Sequence, residues 1–378
     1  MKKIFVLAPD SFKESMSAPK VCEVMERGIR KVSLDAQVFQ VPMADGGEGT
    51  VDALIMSNGG TRIEVEVSGP IPTEKVTTYF GVLADKKTAV IEMAKANGID
   101  RLVKQKRNPL LTSTYGTGEM IKAALDQGVE KIIIGLGGSV TNDGGAGMAQ
   151  ALGVRLLDGE GDELAAGGGA LAKLAKIDES MIDPRIKKTE IILASDVVNP
   201  LTGPIGASIV FGPQKGATPT MVKELESNLL HYAKIIQRDL TIDIQKVPGA
   251  GAAGGLGAGL LAFTGAKIRS GVELVIEFTQ LEKKIAKADY VFTGEGGIDF
   301  QTKFGKTPYG VAQIAKKYNK PVFACAGFIG NQVDVLYDEG ITAIFGILAK
   351  ASSIEEALQA GEDNLERTVE NIVRVLAL

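Results

Sequence analysis

The chain has 378 residues, and its 45% hydrophobic and 23% charged residues give the balance of an ordinary globular protein, which excludes a disordered or fibrous chain. Its 42 Lys and Arg against 46 Asp and Glu give a net charge of −4, and without a basic cluster this charge argues against a nucleic-acid partner. The single histidine, His231, lies on the polar face of a predicted helix, which argues against a Ser-His-Asp triad and a histidine-based metal site.

Three further features indicate where the protein is located. Asp10 and Lys13 interrupt the N-terminal apolar run too early for a signal peptide. The longest uncharged stretch, 247–266, is rich in Gly and Ala and suits packing inside a protein better than lipid. Cys22 and Cys325 lie far apart in apolar contexts, as buried thiols of a reducing compartment do. We therefore expect a cytoplasmic protein without a membrane anchor.

The opening of the chain has the pattern of a parallel sheet. Residues 3–9 and 37–41 are apolar runs that predict strands, and each is followed by a loop and a helix. The first helix begins after Ser17, and the second follows residues 44–49. Strands that alternate with helices are typical of a parallel sheet with crossover helices.

The next segments predict an antiparallel part. In 61–67, Ile and Val alternate with Arg and Glu, which indicates a strand at an edge or in an antiparallel pair. Two prolines make 68–72 the predicted domain crossing. Residues 75–85 and 88–94 flank a polar turn and predict a hairpin. Further strands are predicted at 131–135 and 190–195, and helices at 117–127 and about 219–239.

The C-terminal part returns to the opening pattern, with a buried strand that ends near 294, a helix from Thr307, and two more apolar strands. We therefore predict a two-domain α/β fold. One discontinuous parallel-sheet domain comprises 1–72 and 287–378, and a second α/β domain, 73–286, is inserted into it. The active site is expected in a cleft between the two.

A glycine-rich segment follows the strand at 131–135 and is the strongest motif. Glycines let backbone N–H groups point inward, and the start of a helix adds the positive end of its dipole, so the segment is a candidate for phosphate or nucleotide contact. A tight turn capped by Asp or Asn is the alternative. The candidate residues are Gly137, Gly138, Ser139, Thr141, Asn142, Asp143, Gly144 and Gly145.

Two other glycine patterns are weaker. Gly305-Lys306-Thr307 imitates the end of a P-loop, but Phe300 stands where the motif needs a glycine. The spacing of Gly249, Gly251 and Gly254 matches the dinucleotide fingerprint, yet Pro248 precedes it where a strand should end.

Polar residues follow the first two predicted strands. Because the carboxyl ends of neighbouring parallel strands face one crevice, these residues are expected to converge on a ligand. Lys13 is a candidate to hold a carboxylate or a phosphate, and the alternative is a solvated cation on a loop. Asp45 is a candidate ligand-binding acid, and the alternative is that it caps a helix. The candidates for substrate binding here are Ser11, Lys13, Asp45, Gly46, Gly47 and Glu48.

Acids also follow two later strands. Asp196, with Asn199 close behind, comes after 190–195, and Glu295 and Asp299 come after the strand that ends near 294. Each acid is a candidate general base or Mg²⁺ ligand, and each could instead cap a turn. His231 lies on the polar face of its predicted helix, so acid–base work is expected of carboxylates or lysines.

Seven segments together resemble the signature blocks of the bacterial class I glycerate kinases. They run in family order over nearly the whole chain, and their joint occurrence is far more specific than any one glycine motif. The segments are APDSFKES, ADGGEGT, RNPLLTSTYGTGE, GLGGSVTNDGGAGMAQALG, ASDVVNPLTG, GAAGGLGAG and TGEGGIDFQTKFGKTPYGVA.

The resemblance implies ATP-dependent phosphorylation of D-glycerate, more often to 2-phosphoglycerate than to 3-phosphoglycerate. It also implies a flavodoxin-like or Rossmann-like domain with an inserted α/β domain. On this hypothesis the ATP phosphates lie on 137–145, and Glu295 and Asp299 are the candidate Mg²⁺ ligands.

Within the same hypothesis, Lys13 and Arg107 neutralise the carboxylate of glycerate. Asp196 is the first candidate for the base and Asp45 the second, and Asn199 contacts the substrate. An NAD-dependent hydroxy-acid dehydrogenase and a non-catalytic metabolite sensor are the alternatives. We expect a monomer or a homodimer.

Overall fold

The structure, a computed structural model, describes residues 2–377. Within that range the strands are β1 (Ile4–Leu7), β2 (Gln37–Gln40), β3 (Gly60–Ser68), β4 (Lys75–Leu83), β5 (Thr88–Glu92), β6 (Lys131–Gly135), β7 (Arg155–Leu157), β8 (Lys176–Asp178), β9 (Glu190–Ala194), β10 (Lys267–Arg269), β11 (Tyr290–Ile298), β12 (Val322–Ile329) and β13 (Ala343–Gly346).

The α-helices are α1 (Ala18–Arg30), α2 (Thr50–Asn58), α3 (Ala94–Asn97), α4 (Tyr115–Asp126), α5 (Ala146–Ala151), α6 (Ala207–Phe211), α7 (Pro219–Leu240), α8 (Leu256–Thr264), α9 (Gly271–Phe278), α10 (Leu281–Ile285), α11 (Thr307–Lys317), α12 (Ile354–Gln359) and α13 (Gly361–Leu376). Short 3₁₀ turns, among them Pro213–Lys215 and Phe300–Lys303, connect several of them.

The contacts divide the chain into two units. The first comprises the chain up to Asp45, Asp52–Gly59, and the chain from Ser270 onward; the second comprises Gly46–Val51 and Gly60–Arg269.

The first unit contains a five-stranded parallel sheet in the order β13-β12-β11-β1-β2. Strand β1 and the first half of β11 are apolar and mostly buried, as strands covered on both faces are. The apolar face of α1 packs with that of α13 in the core of this unit, where Val21, Met25, Leu365 and Val369 are fully buried. The predicted helix after Ser17 is confirmed.

The second unit contains a six-stranded sheet in the order β10-β9-β6-β5-β4-β3 and a small β7-β8 ribbon. Strands β10, β9, β6 and β5 are parallel, whereas β4 pairs antiparallel with both β5 and β3. The predicted hairpin is therefore confirmed, and the strand predicted to lie at an edge or in an antiparallel pair does both. The α/β fold class with parallel sheets is also confirmed.

The units do not divide where the prolines suggested. Strand β3 pairs with β4 over its whole length, from Gly60 opposite Leu83 to Ser68 opposite Lys75, and this ladder commits β3 to the second unit. Residues 69–74 form the connecting turn, in which the N–H of Gly69 donates to the carbonyl of Glu74. The segment 68–72 is thus a hairpin turn, and the chain changes unit at 45/46, 51/52, 59/60 and 269/270.

Among residues 2–377, no helix is both long enough and apolar enough to cross a membrane.

Candidate active site

The first unit has a topological switch point between β1 and β11. From β1 the chain proceeds to β2 on one side, while β11, β12 and β13 extend the sheet on the other side. In open α/β sheets, the crevice outside the carboxyl ends of the strands at such a point is where ligands bind. Asp10 follows β1, and Glu295 lies in the C-terminal half of β11.

Asp10 is held by two hydrogen bonds. The N–H of Ser11 donates to Oδ1 (2.6 Å), and the hydroxyl of Thr307, the first residue of α11, donates to Oδ2 (2.7 Å). Burial, together with the nearby carboxylates of Asp45 and Glu295, raises the pKa of Asp10 to about 7, although the two hydrogen bonds oppose the rise. The carboxylates of this site therefore repel one another.

Glu295 is paired with a cation. The hydroxyl of Thr302 donates to Oε1 (3.1 Å), and Nζ of Lys306 lies 3.3 Å from Oε2. Burial raises the pKa of Glu295, although Lys306 and these bonds oppose the change. The site thus combines acids with a lysine at the start of α11.

A cavity of about 550 Å³ opens at these strand ends, and we call it the switch-point cavity. This volume is in the range of small-molecule sites. Phe12, Phe328 and Leu348 contribute apolar surface to its lining. The charged and hydroxyl side chains among its lining residues include Asp10, Ser11, Lys13, Asp45, Glu295 and Lys306.

Four of the residues predicted from the sequence thus meet at the switch-point cavity: Ser11, Lys13, Asp45 and Glu295. Asp299 has a different contact, because its Oδ1 accepts a hydrogen bond from the N–H of Gln301 (2.8 Å) and caps the 3₁₀ turn Phe300–Lys303. Within the described range 2–377, no group of three or more His, Cys, Asp or Glu side chains is arranged to hold a metal ion.

The glycines after Asp45 serve close packing in the second unit. Gly46 has φ of +89°, and a Cβ atom there would lie 2.6 Å from the carbonyl oxygen of Ala194 at the end of β9. A Cβ atom on Gly137 would lie 2.7 Å from Cα of Gly47. Only glycine fits so close an approach. The side chain of Glu48 is exposed on this loop.

Most of the glycine-rich segment 137–145 is interior. Gly137 is half-buried and Gly138 exposed, whereas Ser139 and everything from Thr141 to Gly145 are buried. Asn142 donates its side-chain amide to Ser208 Oγ (2.9 Å). Contact with a phosphate from solvent is thereby restricted to the 137–138 end.

The carboxylate of Asp143 accepts hydrogen bonds from backbone N–H groups of the kind that would otherwise bind a phosphate. Its carboxylate accepts hydrogen bonds from the N–H groups of Thr114 (2.8 Å), Gly145 (3.1 Å) and Gly147 (3.2 Å) and from the hydroxyl of Thr114. The N–H of Gly144 donates to the carbonyl of Gly254. Burial raises the pKa of Asp143, and these bonds oppose the rise. The buried carboxylate of Asp143 therefore fixes the conformation of this loop.

Lys215, which lies beside this loop, was not predicted from the sequence. It is only 2% exposed, and its Nζ donates to Ser139 Oγ (2.7 Å) and to the carbonyl of Thr141 (2.7 Å). Burial lowers the pKa of Lys215 to about 7, although the charge of Asp143 opposes the change. No sequence signal marks it, since it is a single lysine in a turn 76 positions from Ser139.

The remaining predicted residues lie in the second unit. The side chain of Asp196 is exposed just beyond β9. Asn199 donates its side-chain amide to the carbonyl of Ile205 (2.7 Å), and Arg107 donates from Nε to the carbonyl of Leu102 (3.2 Å). Asn199 and Arg107 therefore have local structural contacts, and their predicted roles toward a substrate stay predictions.

The dinucleotide fingerprint has no structural support. The segment 249–254 follows a turn after α7 and not a strand, and Gly254 packs against the backbone of Thr141. The geometry of a Rossmann phosphate-binding turn is thus absent from this segment.

Comparison with known sequences decides the family. The sequence model of the glycerate kinase family matches residues 5–377. The chain belongs to this family. Its family was predicted from the seven signature segments, and that prediction is confirmed, as is the predicted enzyme class, a kinase.

Individual relatives match over almost their full lengths. The chain is 51% identical over 370 residues to a glycerate kinase from Halalkalibacterium halodurans, which covers 98% of this chain and 97% of the relative. It is 50% identical over 373 residues to the glycerate 2-kinase of Escherichia coli strain K12, covering 99% and 98%. A crystal structure described as a glycerate kinase 2 from Salmonella typhimurium LT2 is 48% identical and superposes with a TM-score of 0.89, covering 100% of this chain and 99% of that one.

Proposed function

We propose that this kinase transfers the γ-phosphoryl group of ATP to D-glycerate, with the 2-hydroxyl as the preferred acceptor. Family membership and the similarity to a relative named glycerate 2-kinase support the reaction. The observation that carries the proposal is the switch-point cavity, where Asp10, Asp45 and Glu295 face one another beside Lys13 and Lys306.

Phosphoryl transfer suits this set of groups. It depends on positioning and on electrostatic stabilisation more than on covalent chemistry by the protein, so it needs cations near the transferring oxygens and an acceptor for the hydroxyl proton. Lys306 and Lys13 supply positive charge, and the start of α11 adds the positive end of a helix dipole. Asp45 and Asp196 are the proposed acceptors that orient the attacking hydroxyl.

A magnesium ion suits the donor set of the cavity. Mg²⁺ is usually held by one or two carboxylates together with phosphate oxygens, so a pre-formed cluster of three acids is not required. Burial and, after it, repulsion from Asp45 and Glu295 raise the pKa of Asp10, and a bound divalent cation would oppose both effects by favouring the ionised carboxylate. Glu295 and Asp10 would hold the ion, which would neutralise charge on the phosphates. Asp299 stays a predicted ligand whose observed contact is a turn cap.

A cytoplasmic location belongs to the same proposal. Both cysteines, Cys22 and Cys325, are buried free thiols, which agrees with a reducing compartment.

The experiment is a steady-state assay of ADP release with D-glycerate, ATP and Mg²⁺. We expect the variants Asp45→Asn and Asp196→Asn to lower kcat by roughly 10²-fold or more, because removal of a group that handles the proton typically has that effect. Asp35→Asn, which changes an exposed acid outside the cavity, is the matched control and should retain wild-type kcat. Near-normal turnover of either test variant would remove that acid from the mechanism, and absence of glycerate-dependent ADP release from the wild type would refute the function.

A further inference from the structure

One side of the switch-point cavity is apolar and exposed. Phe328 at the end of β12, Leu348 after β13 and Ile354 at the start of α12 are 67%, 47% and 80% exposed, and all three line the cavity. We call these three residues the apolar wall. Single exposed apolar residues are ordinary, but a cluster around a cavity indicates a ligand or a partner.

Part of the cavity lining beside the apolar wall has little side-chain bulk. Gly296, Gly297 and Gly327 line it, and a Cβ atom on Gly297 would lie 3.8 Å from the ring of Phe328. A Cβ atom on Gly327 would lie 2.8 Å from the carbonyl oxygen of Gly296. Glycines at these positions leave an open surface next to an aromatic ring.

The apolar wall is fixed to the elements that carry the charged groups. Ser15 donates its hydroxyl to the carbonyl of Leu358 in α12 (2.8 Å), which joins the loop after β1 to this helix. Ser353 and Glu356 form a capping box at the start of α12, with two reciprocal bonds of 3.2 Å, and so fix the position of Ile354. The part of the wall that α12 contributes is therefore joined to the loop that carries Lys13.

The chemistry of the two substrates indicates which of them binds to the apolar wall. Glycerate is a three-carbon acid with two hydroxyl groups, and a triphosphate is fully polar, so neither gains from an aromatic and aliphatic surface. A nucleotide base has two apolar faces and stacks on aromatic rings.

We propose that the apolar wall binds the purine base of the nucleotide, with the phosphates directed toward Lys306 and the start of α11. This inference rests on the proposed kinase function and adds the place and orientation of the nucleotide. In this arrangement the nucleotide base contacts the apolar wall, and glycerate contacts the charged groups.

The absence of tryptophan from the chain permits a direct binding test. Leu348→Trp introduces a single emitting residue into the apolar wall, and Leu34→Trp places one at a site in the same unit that is 84% exposed and outside the cavity. We expect ADP and adenosine to change the emission of the Leu348→Trp protein with saturation, while inorganic tripolyphosphate and D-glycerate do not. Neither nucleotide nor nucleoside should affect the Leu34→Trp control.

A kinetic test separates the two substrates. Because stacking of a base on an aromatic residue is lost in an alanine variant, Phe328→Ala should raise KM for ATP roughly tenfold or more while KM for D-glycerate changes less than about twofold. Ile354→Asp should act in the same direction by adding a charge to the wall. Leu34→Ala is the control and should leave both constants unchanged. Since these side chains are largely exposed, the far-ultraviolet circular dichroism should match that of the wild type.

Specific outcomes would overturn the inference. A rise in KM for D-glycerate with unchanged KM for ATP would assign the apolar wall to the acid. A concentration-dependent loss of dimer in light scattering on Phe328→Ala, with both constants unchanged, would show that a second copy of the chain covers it. If the wild type releases no ADP with D-glycerate, the proposed function fails, while the response of the Leu348→Trp protein to ADP still decides whether the wall binds a base.

Discussion

Lys215 is predicted to lose its proton near pH 7, so that the neutral amine predominates above that pH. A neutral amine has two N–H groups, and the structure provides two acceptors at 2.7 Å, Ser139 Oγ and the carbonyl of Thr141. Burial lowers its pKa from 10.5 to about 7. At 1.36 kcal/mol for each pKa unit, holding the proton in the folded protein costs about 5 kcal/mol relative to the unfolded chain.

The sign of the resulting pH dependence follows from linkage. The unfolded chain binds the Lys215 proton up to about pH 10, whereas the folded protein releases it near pH 7. The free energy of unfolding therefore rises with pH between these values, by up to about 1.4 kcal/mol for each pH unit, and this contribution is constant below pH 7. From pH 7 to pH 9 the wild type should gain roughly 2.5 kcal/mol relative to Lys215→Met.

The assay is nuclear magnetic resonance of lysines labelled with ¹³C at Cε. The Lys215 signal is assigned by its loss in Lys215→Met, and we expect its midpoint near pH 7, against about 10.4 for ordinary lysines. Urea unfolding at pH 7 and pH 9 then measures the predicted change in stability, with Lys223→Met on the exposed face of α7 as the control. A Lys215 midpoint near pH 10, or parallel pH dependence of the wild type and Lys215→Met, would refute the reasoning.

Two further predictions concern the loop after Asp45 and the turn after β11. Gly46→Ala adds a Cβ atom 2.6 Å from a backbone oxygen at φ of +89°, whereas Gly49→Ala has φ of +87° with open space around its Cβ. Gly46→Ala should therefore lower the free energy of unfolding by more than Gly49→Ala, which should lose about 1 to 2 kcal/mol from the left-handed conformation alone; equal losses in urea unfolding would contradict the packing. Asp299→Ala should lose about 1 kcal/mol because it removes a cap, and Asp299→Asn should retain most of that stability. If both Asp299 variants also need more Mg²⁺ for half-maximal activity, Asp299 is a ligand as predicted; if neither does, it is only a cap.

Elements with a clear periodicity could be predicted from the sequence. The strict alternation in 61–67 predicted a strand at an edge or in an antiparallel pair, because a half-exposed strand has polar residues at every second position, and β3 has both features. Thr307 followed by Pro308 marked the start of α11. The carboxyl ends of the parallel strands led to Ser11, Lys13, Asp45 and Glu295, which line one cavity.

Long-range packing could not be predicted in the same way. The prolines of 68–72 fit a domain crossing and a hairpin turn equally well, and the pairing of β3 with β4 decides between them. The composition of 141–145 is that of an exposed phosphate-binding loop. In the structure these residues are buried, and the N–H groups of Gly145 and Gly147 donate to the carboxylate of Asp143. The burial of Lys215 depends on segments distant in sequence.

The roles of single carboxylates are the least predictable part of the site. Asp10 stood in the sequence beside the predicted substrate residues, but its hydrogen bond to Thr307 spans 297 positions. Its raised pKa depends on burial and on Asp45 and Glu295, whose proximity is a property of the folded sheet. Sequence patterns locate such acids at strand ends without assigning them to base, metal ligand or cap.

The proposed reaction can be followed in one sample by phosphorus nuclear magnetic resonance, with purified protein, D-glycerate, ATP and Mg²⁺. We expect the ATP signals to decrease as those of ADP and 2-phosphoglycerate increase in equal amounts. A product spectrum of 3-phosphoglycerate would contradict the proposed acceptor hydroxyl. If the formation of ADP does not depend on glycerate, the proposal that this family member is a glycerate kinase is wrong.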